Sequence, residues 1–439
     1  MLIKKAKISG WGLHPEIEVN LACPKTVHEI VHLSKKKCIA RGLGRSYGDS
    51  SLNKNLTITT TNLNKIISFD KVNGTLKTHS GASIVNILNL IIKDGWFLPV
   101  TPGTKFVTIG GMVASDVHGK NHHIEGSFGN HIISLEIAIN GKIVNCSPTE
   151  KPDLFWKTIG GMGLTGIIVT ATFGLKKINS AFINQKIMIA DNLEEAIDLF
   201  HENIDITYSV AWVNCLAKGS NFGNSIITFG EHVTDKDGSL EKTYFREKNP
   251  ISIPFLMPSF FLNSILLRIF NFFYFQTAKI LPKEKKVSIN SFFYPLDSIN
   301  HWNRMYGKRG FFQYQLVFPI EISKKAINEI LNEIIKLQEY PFLAVLKRLG
   351  KGNQNLSFPL NGITLALDFP HNSNSARLVR KLDSVLKKFN GKIYLTKDSM
   401  TSKKTILATQ ENNILEFKNF RNENNMKNFS SMQSERLEL

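Results

Sequence analysis

Apolar and polar residues alternate in short runs through the first part of the chain, and glycine turns separate the runs. TITTTNLNKIISFD and GTLKTHSGA have the β-branched, alternating character of strands. In SIVNILNLIIKDGW the apolar residues change to helical spacing, and Gly95 closes the run. Residues 132–145 read as a hairpin, two alternating runs around Asn140-Gly141. Residues 36–175 thus predict an α+β module of short strands and Gly-rich turns.

The theme returns further on. NLEEAIDLFHEN predicts a helix, while ITYSVAWVNCLA and SIITFGEHV predict strands. FFQYQLVFP and GITLALDFP are strand-like and enclose a helical KKAINEILNEIIKLQEY; a second helix, RLVRKLDSVLKKFN, follows them. NFRNENNMKNF reads as a polar helix surface. There is no internal repeat and no heptad pattern, so two α+β blocks with different strand patterns predict two domains.

Ile251–Phe275 is different in kind, a 25-residue run whose single charge is Arg268. Pro254 and Pro258 crowd its start. On a helix, Asn263, Ser264, Arg268 and Asn271 form one narrow polar stripe beside a broad Phe/Leu/Ile face. Lys279, Lys283, Lys285 and Lys286 follow, placed to meet anionic headgroups. The pattern predicts a helix lying in a membrane interface ahead of a core helix, and a spanning helix last.

Composition sharpens this picture. At 439 residues, 42% hydrophobic and 21% charged, the chain holds two or three ordinary domains and is not largely disordered. Lys and Arg outnumber Asp and Glu by 54 to 36, a net charge of +18 that draws in a polyanion. With 30 Phe against 9 Tyr, an anionic membrane surface fits better than nucleic acid. The cations are spread along the chain rather than interleaved with aromatics, so nucleic acid is not an expected partner. Cys23, Cys38, Cys146 and Cys215 lack metal or disulfide spacing and predict a reduced compartment. The opening MLIKKAKISGWG lacks the apolar run of a secretory signal, which predicts a cytoplasmic protein.

Three glycine-dense passages carry the chemistry. In IARGLGRSYGD a strand ends at Ile39. Gly42, Gly44 and Gly48 then allow a turn whose N–H groups face a phosphate, with Arg41 and Arg45 beside it. The second passage, residues 102–131, combines many glycines with His118, His122, His123 and His131. That composition suits backbone wrapped closely around a large flat ligand. No carboxylate has ligand spacing, so a ligand-lining loop is expected and a metal is not. The third passage, IGGMGLTGI, runs into a strand.

Taken in order, ARGLGRSYGD, DVHGKNHH, GSFGNH and GGMGLTGII resemble the flavin-binding half of the vanillyl-alcohol-oxidase/PCMH superfamily. More narrowly they resemble the decaprenylphosphoryl-β-D-ribose 2′-oxidase family, and SGWG, FFQYQ, GNQNLSFPLNGITLALDFP, IYLTKDS and SERLEL extend the match over nearly the whole chain. The resemblance implies an α+β fold: a PCMH-type FAD-binding domain (1–179), an inserted substrate domain on an antiparallel sheet (180–391), and a closing segment (392–439). Within the insert, 251–286 is expected to face a membrane. Ile39, Ala40, Arg41, Gly42, Leu43, Gly44, Arg45, Ser46, Tyr47, Gly48 and Asp49 would cradle the FAD pyrophosphate. Gly103, then Thr108, Ile109, Gly110 and Gly111, then Ser115, Asp116, Val117 and His118 would line the dinucleotide, and Ile167 and Tyr394 would complete its pocket. Relatives that tether flavin through a histidine of the first loop have that histidine where this chain has Arg45, so non-covalent FAD is expected.

The resemblance further implies Lys397 as the essential lysine, with His118 beside flavin and ligand. A base for the hydroxyl proton and positive charge near the flavin are what such chemistry requires. Lys120, Gln313, Gln315, Lys347 and Asn353 would meet substrate; the two glutamines alternate with Tyr314 and so share one strand face. The implied reaction oxidises a sugar hydroxyl on a polyprenyl phosphate, with a short-chain NAD(P)H-dependent reductase as partner, peripherally at the inner face of the cell membrane. The chain departs from the family at Ala366 (an inhibitor-reactive cysteine in mycobacterial enzymes), at Thr364 (Asn) and at Phe293 (Tyr). These departures fall on the sugar-facing wall, while the flavin-binding passages keep the family's pattern.

Overall fold

The computed structural model describes residues 3–234, 251–258, 263–353 and 355–439. Strands Ile3–Ser9, Glu16–Ala22, Thr57–Thr59 and Ile39–Arg41 form a four-stranded sheet in that spatial order. A five-stranded antiparallel sheet follows, ordered Ile66–Asp70, Thr75–His79, Ile167–Gly174, Ile132–Ile139 and Lys142–Cys146. Its last hairpin turns at Asn140 (φ 48°) and Gly141 (φ 83°), the doubly positive geometry that Asn-Gly favours. Helix Ile84–Ile91 ends through a short 3-10 turn at Gly95, φ 79°. The apolar faces of this unit make one core with Ile30, Ile87, Phe97, Phe128 and Phe173.

The second unit is an eight-stranded antiparallel sheet ordered Glu284–Ser288, Phe182–Ala190, Ser225–His232, Tyr208–Val213, Leu343–Leu349, Gly362–Pro370, Phe311–Pro319 and Lys392–Ile393. Strand alternation gives it two unlike faces. Phe312, Tyr314, Leu316 and Phe318, with Ile363, Leu365, Leu367 and Phe369, pack in one core. Helices Leu193–Glu202, Ile320–Leu337 and Ser375–Lys388 cover that core. The intervening residues, among them Gln313, Gln315, Thr364, Ala366 and Asp368, face away from those helices. The α+β class is the one expected.

Several sequence expectations are corrected. The strand at Ile39 begins there and runs to Arg41, because its ladder to Thr57–Thr59 continues up to the glycines. Residues 102–131 are not all loop: they hold the short helices Ile109–Ala114 and His122–Glu125. The eight-stranded sheet includes Lys392–Ile393 and so passes residue 391. The supposedly polar surface near residue 420 is partly interior. Phe417 and Phe429 are fully buried, and Arg421 donates to the carbonyls of Leu164 (3.0 Å) and Phe429 (2.6 Å).

Candidate active site

Between the glycine-dense turns of the first unit and the face of the large sheet turned away from those three helices lies a cavity of about 460 Å³. Ala40 through Tyr47 form one wall, and Gly103, Thr108, Gly110, Gly111, Ser115, Val117 and His118 form the next. Gly42 is required where these walls meet, since a Cβ there would lie 2.1 Å from Thr108 Oγ1. Gly48 lies just outside the cavity, and a Cβ on it would sit 2.4 Å from the Asp398 carbonyl oxygen. That crossing brings the first loop against the Lys397 turn, where Tyr47 N–H donates to Thr396 O at 3.1 Å.

The sheet supplies the opposite wall. Gln313, Gln315, Val345, Lys347 and Ala366 line it, joined by Lys120, Tyr394 and Lys397. The Lys397 ammonium sits 3.8 Å from the Tyr47 ring centroid. Gln313 Nε2 donates to Asp368 Oδ1, while Asp368 Oδ2 is buried without a partner. Lys120 donates to the Phe292 carbonyl and lies 4.3 Å over the Phe292 ring. Gln315 Nε2 contacts His118 Nε2 at 3.0 Å and Thr364 Oγ1 at 3.3 Å. Thr364 donates its own proton to Leu316 O, so the amide is the donor to both, and the His118 proton is assigned to Nδ1. That Nδ1 is buried without a partner.

Four basic groups therefore converge where water is scarce. Burial pulls Lys120 down to about 7, with the nearby Lys347 adding to it. Burial likewise brings Lys347 to about 8. Lys397 is held below the ordinary lysine range by burial, against the pull of Asp368 and with the push of Lys347. Burial drives His118 well below the usual imidazole range, and Lys347 adds to that effect, so His118 is neutral. The Asp368 carboxyl is pushed upward by burial.

Seven expected residues stand elsewhere. Ile39, Ile109 and Ile167 are core residues with no exposed surface. Gly48 supports the crossing just described. Asp49 pairs with Arg436 at 3.0 Å. Asp116 is fully buried and accepts from Gly129 N (3.0 Å), Asn353 Nδ2 (3.1 Å) and Ser357 Oγ. Its partner Asn353 is thereby occupied in binding two loops together and does not line the cavity. His122 and His123 also turn away, to Gly350 N and Ile206 O. Among the described residues no cluster suits a metal ion.

Sequence reasoning missed Trp11, Phe106, Trp302 and Asp368. Asp368 was accessible to it, two and four residues beyond Ala366 and Thr364 on one strand face. Trp11 and Trp302, whose rings meet at 5.6 Å, lie 291 residues apart in the chain and leave no local signal.

A flat, polar cofactor suits these walls. Ser50 Oγ, Ser80 Oγ and His118 Nδ1 belong to cavity-lining residues, are buried, and have no partner among the described residues. The comparisons agree with that fit. Residues 15–147 match the FAD binding domain family. The decaprenylphosphoryl-β-D-ribose oxidase of Mycolicibacterium smegmatis is 35% identical over 384 residues, 84% of this chain and 82% of its own. A putative D-arabinono-1,4-lactone oxidase of Neurospora crassa is 27% identical over 36% of this chain and 29% of its own. A D-lactate dehydrogenase of Anaerostipes hadrus is 27% identical over 42% of this chain and 41% of its own. The long, nearly end-to-end match, set on a cavity built for a flat polar cofactor, makes this chain a member of the FAD-dependent oxidoreductase family typified by decaprenylphosphoryl-β-D-ribose oxidase.

Proposed function

We propose that the protein oxidises a secondary hydroxyl of a sugar carried on a polyprenyl phosphate, C2′ of a decaprenylphosphoryl-ribose-like pentose, to the ketone. The observation that carries this reading is the convergence of buried Lys120, Lys347 and Lys397 with Gln313 and Gln315 at one end of the cavity. Mutually repelling buried cations are relieved by an anion, and the glutamine amides suit sugar hydroxyls. Bound FAD would supply the hydride acceptor for the alcohol carbon. Arg41, Gly42, Gly44 and Arg45, with Thr108, Gly111, Ser115 and Tyr394, would hold it without a covalent link. His118 offers the donor at Nδ1, oriented through Gln315. Lys397, with its proton affinity lowered, takes the hydroxyl proton in its neutral form. The ketone would then pass to a short-chain NAD(P)H-dependent reductase, completing an epimerisation in surface-glycan synthesis at the inner face of the cell membrane.

Anaerobic mixing with a polyprenyl-phosphate pentose is expected to bleach the flavin's visible band. Bleaching by free alditols or aldonolactones, and not by the lipid-linked sugar, would replace this reading with that of a soluble polyol or lactone oxidase. A second expectation concerns pH. A phosphodiester keeps its charge from pH 6 to 9, whereas Lys120 and Lys347 lose theirs through about 7 and about 8. Binding an anion favours the protonated lysines, so it takes up protons, and affinity falls as pH rises through this window. Calorimetric titration of the oxidised enzyme across it should show weakening Kd and proton uptake; a flat profile would remove the lysines from phosphate recognition.

A further inference from the structure

The helix Ser264–Ile280 lies against the protein through a narrow, mostly apolar stripe that includes one polar residue, Asn271. Leu267, Asn271, Phe275 and Ala278 are its buried residues. Asn271 Nδ2 donates to Asn214 Oδ1 at 3.0 Å, and the Arg268 guanidinium lies 5.8 Å from the Tyr340 ring. The face left to solvent is apolar: Ile265 (69% exposed), Ile269, Phe270, Phe272, Phe273 (63%) and Ile280. An ordinary surface helix turns polar residues outward.

Its position relative to the cavity gives this exposed apolar face meaning. The helix rests on Trp212, which meets Tyr274 at 5.0 Å, and on Ile187, Ile189 and Ile226. Trp212 pairs across the sheet with Val345 and lies two residues from Val210, both of which line the cavity. The helix and the cavity therefore share one face of the large sheet. A second apolar strip borders the mouth. Ile251–Ser252 pairs with the cavity-lining Ile299–Asn300, and Arg304 Nη1 donates to Ile253 O and Pro254 O, each at 2.9 Å. Beside these, Ile251, Phe255 and Leu256 are exposed. Residues 259–262, between strip and helix, lie outside the described residues.

Lysines stand at the far end of the helix. Lys283 donates to Ala278 O at 2.7 Å, and exposed Lys285 follows. Among the described residues no helix is long and apolar enough to cross a membrane. The 17 residues of this one span about 26 Å, short of the ~30 Å hydrocarbon core.

We infer that the outer face of Ser264–Ile280, with Ile251, Phe255 and Leu256, is a seat for an anionic bilayer surface, the helix lying in the headgroup plane and the cavity mouth opening beside it. An apolar face bordered by cations has the chemistry of the boundary between headgroups and acyl chains. Its continuity with the cavity rim lets a lipid-borne sugar reach the flavin site without leaving the bilayer. That purpose rests on the proposed substrate; the docking itself does not.

The FAD-loaded protein is expected to float with phosphatidylglycerol/phosphatidylcholine vesicles and less with phosphatidylcholine alone. Phe272→Ser and Phe273→Ser, both on solvent-facing positions, should each weaken partitioning roughly tenfold while leaving the flavin spectrum unchanged. Failure of the wild-type protein to bind vesicles, or binding by both variants as strong as the wild type's, would overturn the seat. So would a dimer in light scattering that the double variant dissolves, for the face would then be covered by a second copy. Flotation without bleaching by any lipid-linked pentose would keep the seat and remove the substrate.

Discussion

Replacing Lys397 with methionine is expected to slow substrate-driven flavin reduction by about 10²- to 10⁴-fold, the usual worth of a positioned proton acceptor. The lysine sits on a tight turn, its own N–H donating to Tyr394 O at 2.9 Å, and its ammonium meets the Tyr47 ring face at 3.8 Å. Methionine keeps a similar unbranched stem and removes the nitrogen, so the cavity retains its shape. The flavin spectrum should therefore survive, since the residues proposed to hold the cofactor are elsewhere. Arginine separates the two roles a lysine can take here. It restores charge but stays protonated throughout the working range, so it rescues a charge-stabilising role and fails to rescue proton removal. Stopped-flow reduction of the three proteins under anaerobic conditions reads the difference. An unchanged rate in Lys397→Met would take the lysine out of the chemistry.

Much of this site was readable because it is built on short periods. Gln313 and Gln315 reach the cavity together because a two-residue period in FFQYQLVFP leaves no other choice once Phe312 and Tyr314 enter the core. The glycine passages were equally legible, since close approach of two backbones tolerates few other residues. Within them, however, sequence does not show which side chain looks outward. Asp116 lies among cavity residues yet turns inward, to hold Gly129, Asn353 and Ser357 together. The helix at Ser264–Ile280 shows the same limit. Its polar stripe was visible, but that Asn271 alone of the stripe turns inward depends on a partner, Asn214, fifty-seven residues away.

The largest stability effect is expected from Arg436, to which the sequence assigned no role beyond its place in SERLEL. Its guanidinium holds Asp49 through Nε (3.1 Å) and Nη2 (3.0 Å), and Asp398 through Nη2 at 2.8 Å, and donates to Thr401 O as well. Asp49 closes the first glycine loop, and Asp398 adjoins Lys397. One cation thus clamps the two loops that face each other across the site. Both carboxylates are almost fully buried. Arg436→Met leaves them side by side without their counter-charge, at a cost of about 3–5 kcal/mol. The pH dependence follows from Asp49. Burial already raises its carboxyl, against the lowering by Arg436, and loss of the arginine lets it rise further. Folding of the variant then takes up a proton, so its stability falls as pH rises from the ordinary carboxylate range through the higher folded value. Urea unfolding should accordingly show a smaller deficit near pH 5 than near pH 8, and Asp49→Asn added to Arg436→Met should recover part of it. A deficit independent of pH, unrelieved by Asp49→Asn, would mean that Arg436 acts through packing alone rather than as the cation holding the first glycine loop against the Lys397 turn.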